Sequence, residues 1–165
     1  MTRVYISIGS NIDRERNIRS AVISLHDRFG QLILSSVYES AAFGFSGDPF
    51  LNLVAGFDAT EIESTMRILR EIEEIHGRVR SDKKFSSRTL DLDLLLFGDS
   101  NLQDQGIDVP RDEITRYAFV LGPLAEIAPT EQHPILKQTY HIIWQTFQHD
   151  HPQQAGSIVP VSFDW

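Results

Sequence analysis

Leu90-Asp91-Leu92-Asp93-Leu94-Leu95-Leu96-Phe97 is the stretch on which the fold turns. Strict alternation of leucine with a polar residue is the pattern of a half-buried strand. Leu90, Leu92 and Leu94 face a core, and Asp91 and Asp93 share the other face with α-carbons roughly 6–7 Å apart. Two adjacent carboxylates repel each other and sit badly in a core without a cation between them. Two readings are open at this point: acids facing water on a half-exposed strand, or a pair of hard oxygen ligands suited to Mg²⁺, which keeps waters and substrate phosphates in its shell.

Directly upstream, RVRSDKKFSSR at 78–88 carries five basic residues and one acid. That local +4 lies in a chain of net charge −8, so the rest carries about −12. Basic side chains for phosphate oxygens followed at once by carboxylates for magnesium are the parts of a nucleoside triphosphate transfer site. Further upstream, Thr60 and Glu63 form a capping box for a helix that ends near Gly77. Ile62, Met66, Leu69 and His76 share one face of that helix, and Glu73 falls inside the stripe. A carboxylate there either reaches solvent at the helix end or turns toward the basic loop.

Residues 50–58, FLNLVAGFD, alternate as a strand, with Leu51, Leu53 and Ala55 on one face and Phe50, Asn52 and Val54 on the other. A Gly/Pro loop at 43–49 precedes it, and residues 31–39 form the strand before that. The chain opens with a strand at 3–8 and a helix over 14–29 that Asp13 is placed to cap. The order β-α-β-β-α-β is that of the ferredoxin-like fold, an α+β class with an antiparallel sheet, helices on one face and the other face free for a site. Downstream, the sequence predicts a short helix at 123–127, a helix at 139–149 and a last strand at 158–163. These form a C-terminal extension of a single domain spanning 1–165.

Composition narrows the function. The chain has 165 residues, 41 % hydrophobic, and no cysteine, which removes disulfides, thiol nucleophiles and Cys-bound zinc. Any metal is held by oxygen or imidazole. The acidic balance argues against nucleic acid as a partner. No apolar run approaches the ~20 residues that span a bilayer, which fits a cytoplasmic location without a membrane partner. Phe50 with Asn52 on one strand face suits a flat heterocycle, by stacking and an amide hydrogen bond, and Phe119 is available for its other side.

Taken together, YISIGSN at 5–11, Phe50-Leu51-Asn52, Gly77-Arg78-Val79-Arg80, Arg88-Thr89-Leu90-Asp91-Leu92-Asp93 and FVLGPLAEIAP at 119–129 resemble the 6-hydroxymethyl-7,8-dihydropterin pyrophosphokinase family. The last ~35 residues resemble it weakly. The resemblance implies transfer of pyrophosphate from ATP, the co-substrate, to a pterin alcohol by a monomeric enzyme acting on small molecules. It implies that Asp91 and Asp93 hold two Mg²⁺ ions. Arg78 and Arg88 would serve the transfer and grip ATP, with Glu73, Arg80, Leu94 and Arg111 on the nucleotide side. Phe50 and Phe119 would sandwich the pterin, with Asn52 on its edge beside Ser40, Ala42 and Phe43.

Departures from the family pattern cluster on the nucleotide wall. Phe85-Ser86-Ser87-Arg88 stands where the family has Trp-Gly-Pro-Arg, and Ala41-Ala42 stands for Pro-Pro. Arg111-Asp112 follows Val109-Pro110 where a His is usual. Tyr117 replaces an arginine of some members, and Gly106 and Asp108 occupy two further nucleotide-side positions. A pterin-binding regulatory paralogue with little turnover shares these features. A ferredoxin-like RNA-binding module would need aromatics on central strands in a basic setting.

Overall fold

A computed structural model describes residues 1–41, 47–77 and 89–165. Ala42 and Phe43, and Arg78, Arg80 and Arg88 of the basic loop, lie outside the described residues. The elements run β1 (Thr2–Ser10), α1 (Arg14–Phe29), β2 (Ile33–Leu34), β3 (Val37–Ser40), β4 (Phe50–Ala59), α2 (Ile62–Ile75), β5 (Asp91–Phe97), α3 (Ala118–Ile127), α4 (Tyr140–Asp150), α5 (Pro152–Gly156) and β6 (Val159–Val161). The strand order is β5-β1-β4-β3-β6, with β2 also on β4, and every pairing is antiparallel. This is the expected ferredoxin-like sheet with one added edge strand from the extension.

Alternation sorts the side chains. Val4, Ile6 and Ile8 of β1, Leu51, Leu53 and Ala55 of β4, and Leu90, Leu92 and Leu94 beside and along β5 form one core with Ile18, Ala21 and Leu25 of α1 and Leu69 and Ile72 of α2. The opposite face is not wholly free. Tyr5, Val54, Leu95 and Leu96 are covered by Val120, Leu121 and Leu124 of α3, with Ile143 and Phe147 of α4 behind them. The pairing of β1 with β5 shifts between Tyr5 and Ile6, where Tyr5 opposes Leu96 and Ile6 opposes Leu94. Leu95 is the extra residue of this bulge, and so Leu95 and Leu96 both join the α3 side. The extension thus packs on part of the second face, and Asp91 and Asp93 of that face stay partly exposed.

Local details differ from the sequence reading in instructive ways. β1 extends past residue 8 because Gly9 and Ser10 continue the ladder opposite Asn52 and Leu51. The strand expected over 31–39 is split at Ser35: the Val54 N–H donates to Ser35 Oγ at 2.9 Å, so a side chain replaces a main-chain acceptor. Asp13 does sit at the start of α1, but in a left-handed conformation without a side-chain cap bond. Thr60 and Glu63 do not form a capping box. The helix begins one residue later, with Glu61 at the N-cap, and Thr65 Oγ1 donates to the Glu61 carbonyl at 2.6 Å. α2 does stop before Gly77, whose φ of +85° suits glycine. α3 starts at Ala118, five residues ahead of the helix expected at 123–127, and carries Pro123 inside it.

Two ties fix α3 on the sheet. Glu126 accepts from the Ser36 N–H at 2.8 Å, Ser36 Oγ at 2.9 Å and Tyr38 Oη at 2.5 Å. Burial, then the bond to Glu126, raises the Tyr38 pKa above its ordinary value. At the other end, the Ala118 N–H donates to Gln154 Oε1 of α5 at 2.9 Å, so the extension caps the helix that holds Phe119. Glu126→Ala removes the acceptor of three donors and is expected to lower unfolding free energy by about 1–3 kcal/mol. Urea unfolding checks this, and an unchanged midpoint would show that the latch carries no stability.

Candidate active site

Register decides which side chains meet. Gly9 pairs with Asn52 on one side and Asp91 on the other, and Ser7 pairs with Val54 and Asp93. Ser40 pairs with Phe50 and Tyr38 with Asn52. Cross-strand partners share a face, so Asp91, Asp93, Ser7, Gly9, Asn52, Phe50 and Ser40 line one patch beyond the end of α3. Asn52 is buried and its Nδ2 donates to Ser40 Oγ at 2.9 Å. A Cβ on Gly9 would lie 3.0 Å from Asn52 Oδ1, so glycine is what lets the amide lie flat across β1. The sequence reading missed Ser7 and Gly9. Their signal was there in β1, where small residues alternate with Val4, Ile6 and Ile8.

Phe119 lies in the first turn of α3, half-buried against the cluster that holds Tyr5, Val54 and Leu95, on the same sheet face as the two aspartates. Its ring stacks on Tyr117 with centroids 5.3 Å apart and planes 17° apart. Tyr117 is buried, and the Arg116 guanidinium lies 5.4 Å from its ring centre while pairing with Asp112 at 2.6 Å. The residue in the family's arginine position therefore backs the aromatic wall. Leu94 sends its side chain into the core under α1 and α2, away from the aspartates, and only its main chain is left for a nucleotide.

Glu73 does not reach solvent, and the basic loop toward which it was also expected to turn lies outside the described residues. Glu73 is buried at the C-terminal end of α2, and its carboxylate accepts the Leu92 N–H at 2.8 Å. Leu92 lies between the two aspartates on β5, the outer strand of the sheet. Thus Glu73 pins the strand that carries them.

Arg111, expected on the nucleotide side, is largely buried and engaged by acidic side chains. Its N–H donates to the Leu95 carbonyl at 2.9 Å, and its Nη2 lies 2.9 Å from Glu113 Oε1 and 3.5 Å from Asp93 Oδ1. Burial works against its charge, but Asp93 and then Glu113 outweigh it and raise its pKa. The aspartate pair therefore has a protein cation beside it, which the strand pattern did not reveal. Asp108 is committed locally, accepting the Asp112 N–H at 3.0 Å, and Gly106 closes a turn at φ +76°. Burial, then the charge of Asp91, pushes the Asp93 carboxyl well above the usual carboxylate range despite Arg111. Asp91 and Asp93 offer carboxylate oxygens side by side, donors of the kind that suit a hard divalent cation.

Fold and patch define an α+β protein with a polar site at one end of a ferredoxin-like sheet. Residues 5–129 match the model of 7,8-dihydro-6-hydroxymethylpterin-pyrophosphokinase (HPPK), and the chain belongs to that family. The 2-amino-4-hydroxy-6-hydroxymethyldihydropteridine pyrophosphokinase of Bacillus subtilis is 37 % identical over 133 residues, covering 74 % of this chain and 76 % of that protein. The Pseudomonas aeruginosa protein of the same name is 37 % identical over 132 residues, covering 77 % and 81 %. Among solved structures, wild-type Plasmodium falciparum HPPK-DHPS with SDX-DHP superposes with a TM-score of 0.70 at 12 % identity, covering 97 % of this chain and 47 % of that one. The form with pteroate also gives a TM-score of 0.70, at 11 % identity and with 96 % and 47 % coverage. These likenesses establish the fold, and the chain spans about half the length of those structures.

A raised Asp93 pKa has a consequence for stability. The folded state keeps its proton to higher pH than the unfolded state does, so stability is lost as pH rises from about 4 through the folded-state pKa. Asp93→Asn removes that loss. In chelator, the stability of the variant relative to wild type is expected to improve as pH rises above about 4. A pH-independent difference between the two unfolding curves would contradict it.

Proposed function

We propose that the chain transfers the β,γ-pyrophosphoryl group of ATP to the hydroxymethyl oxygen of 6-hydroxymethyl-7,8-dihydropterin. The observation that carries this reading is the juxtaposition, on one sheet end, of a carboxylate pair with a buried amide and flanking aromatics. The pterin hydroxyl loses its proton and forms a bond to the β-phosphorus. The bond from that phosphorus to the oxygen shared with the α-phosphate breaks, and AMP leaves.

Asn52, braced by Ser40, reads the heterocycle edge, with main-chain help around Ala42 and Phe43. Phe50 and Phe119 flank the ring, and Tyr117 holds Phe119 from behind. Asp91 and Asp93 would hold Mg²⁺, two ions on this reading, which when bound supplies Lewis-acid neutralisation of the phosphate oxygens. Arg78 and Arg88 offset charge on the transferred group and the leaving oxygen, with Arg80, Glu73, the Leu94 main chain and Arg111 on the nucleotide side. Binding both substrates excludes water, the competing nucleophile. No helix among the described residues is long and apolar enough to cross a membrane, which is compatible with a cytoplasmic, monomeric enzyme acting on small molecules.

One observation favours a second reading, a pterin-binding paralogue with little turnover: Arg111 is engaged by Asp93 and Glu113. Incubation with ATP, Mg²⁺ and the pterin alcohol separates the two. The transferase yields AMP rather than ADP, and Asp91→Ala or Asp93→Ala lowers the rate by about 100-fold or more. Pterin binding without AMP would favour the paralogue. Gly9→Ala, whose Cβ displaces the Asn52 amide, is expected to weaken pterin binding by about 1 kcal/mol and leave ATP binding unchanged. Fluorescence titration with each substrate reads both, and an unaltered pterin affinity would remove Asn52 from the site.

A further inference from the structure

We propose that Arg111 is a resident counter-ion of the carboxylate pair, which opposes free divalent metal and releases Asp93 only when metal arrives with phosphate. This rests on the assignment of Asp91 and Asp93 to the metal. The placement of Arg111 carries the argument. Its main chain is anchored to Leu95, two residues along β5 from Asp93, so the guanidinium starts beside the aspartate. Its Nη2 is shared between Glu113 Oε1 at 2.9 Å and Asp93 Oδ1 at 3.5 Å. The hydrogen bond goes to Glu113, while the contact with Asp93 is a longer ion pair, the weaker and more easily surrendered of the two.

An arginine stays charged at every working pH. A bare divalent ion approaching Asp93 therefore meets a fixed positive charge, in a pocket where all three side chains are at most about a quarter exposed. The nucleotide reverses the balance. Its phosphates bring negative charge that the planar fork of Arg111 is shaped to accept, and the buried Nε of Arg111 has no partner among the described residues. Movement of the guanidinium toward phosphate frees Asp93 for the metal, with Glu113 as the pivot. Metal and nucleotide then bind with positive coupling, and Arg111 acts as a positioning residue through Asp93. A neutral side chain at this position would remove that opposition at Asp93.

Mn²⁺ binding followed by electron paramagnetic resonance tests this in the full chain, without turnover. In the absence of nucleotide, Arg111→Gln is expected to bind Mn²⁺ about tenfold more tightly than wild type, within the usual range for coupled sites. Arg111→His at pH 8, where an ordinary imidazole is neutral, is expected to do the same and serves if the Gln variant does not fold. With a non-hydrolysable ATP analogue present, the advantage of either variant should vanish or reverse. Equal Mn²⁺ affinity of wild type and a folded variant without nucleotide would overturn the proposal. Asp93→Asn separates the two levels of the argument: unchanged Mn²⁺ affinity there would remove the metal assignment itself, whatever Arg111 does.

Discussion

The register of β1 between β4 and β5 is the constraint from which the site follows. β1 is held on both sides through nearly its whole length, opposite β4 from Thr2 to Ser10 and opposite β5 from Val4 to Gly9. Its apolar alternates are locked into the helix-covered core, so a slip of one residue would turn Ile6 and Ile8 away from that core and put Ser7 into it. That cost fixes Gly9 between Asn52 and Asp91. The polar patch is thus the reverse side of the hydrophobic core.

The second half of the molecule then decides how much of that reverse side is used. α3 covers Tyr5, Val54 and Leu95, while Ser7 and Asn52 are buried polar residues on the same face. It is held at one end by Glu126 on Ser36 and Tyr38, and at the other by Gln154 on Ala118. Phe119 takes its position from both ties. A similar linkage joins the strand that carries the aspartates to the turn that carries Arg111 and Glu113, since Arg111 bonds to the β5 main chain and pairs with a β5 side chain. Each wall of the site is fastened to the sheet by a polar contact of long sequence separation.

Periodicity made the sheet and its two faces legible before any coordinates. Alternation in β4 and β5 gave the core leucines and the outward aspartates, and the helical stripe gave α1 and α2. What it concealed were choices made by single hydrogen bonds. Asp13 and Thr60 are good capping residues by type, yet neither caps, because main-chain geometry at each helix start placed the side chain elsewhere. Ser35 split a strand by offering its hydroxyl to Val54. The bulge at Leu95 follows from pairing with β1, to which a leucine run is blind. For the site, the sequence located Asp91, Asp93, Asn52 and Phe50 on one face. It did not reveal that Arg111 would fold back on Asp93, since only the approach of the turn to β5 brings them together.

The bond from Leu92 to Glu73 has a meaning beyond the site. β5 is the outer strand of the sheet, and an outer strand offers unpaired N–H groups to any other extended chain. Midway between the two aspartates, the carboxylate of α2 already occupies one of those groups. A foreign strand seeking to extend the sheet there would have to displace a buried carboxyl group and lie beside two more. The protein thereby guards the margin of its sheet against aggregation with the same acidic residues that make the patch fit for a cation.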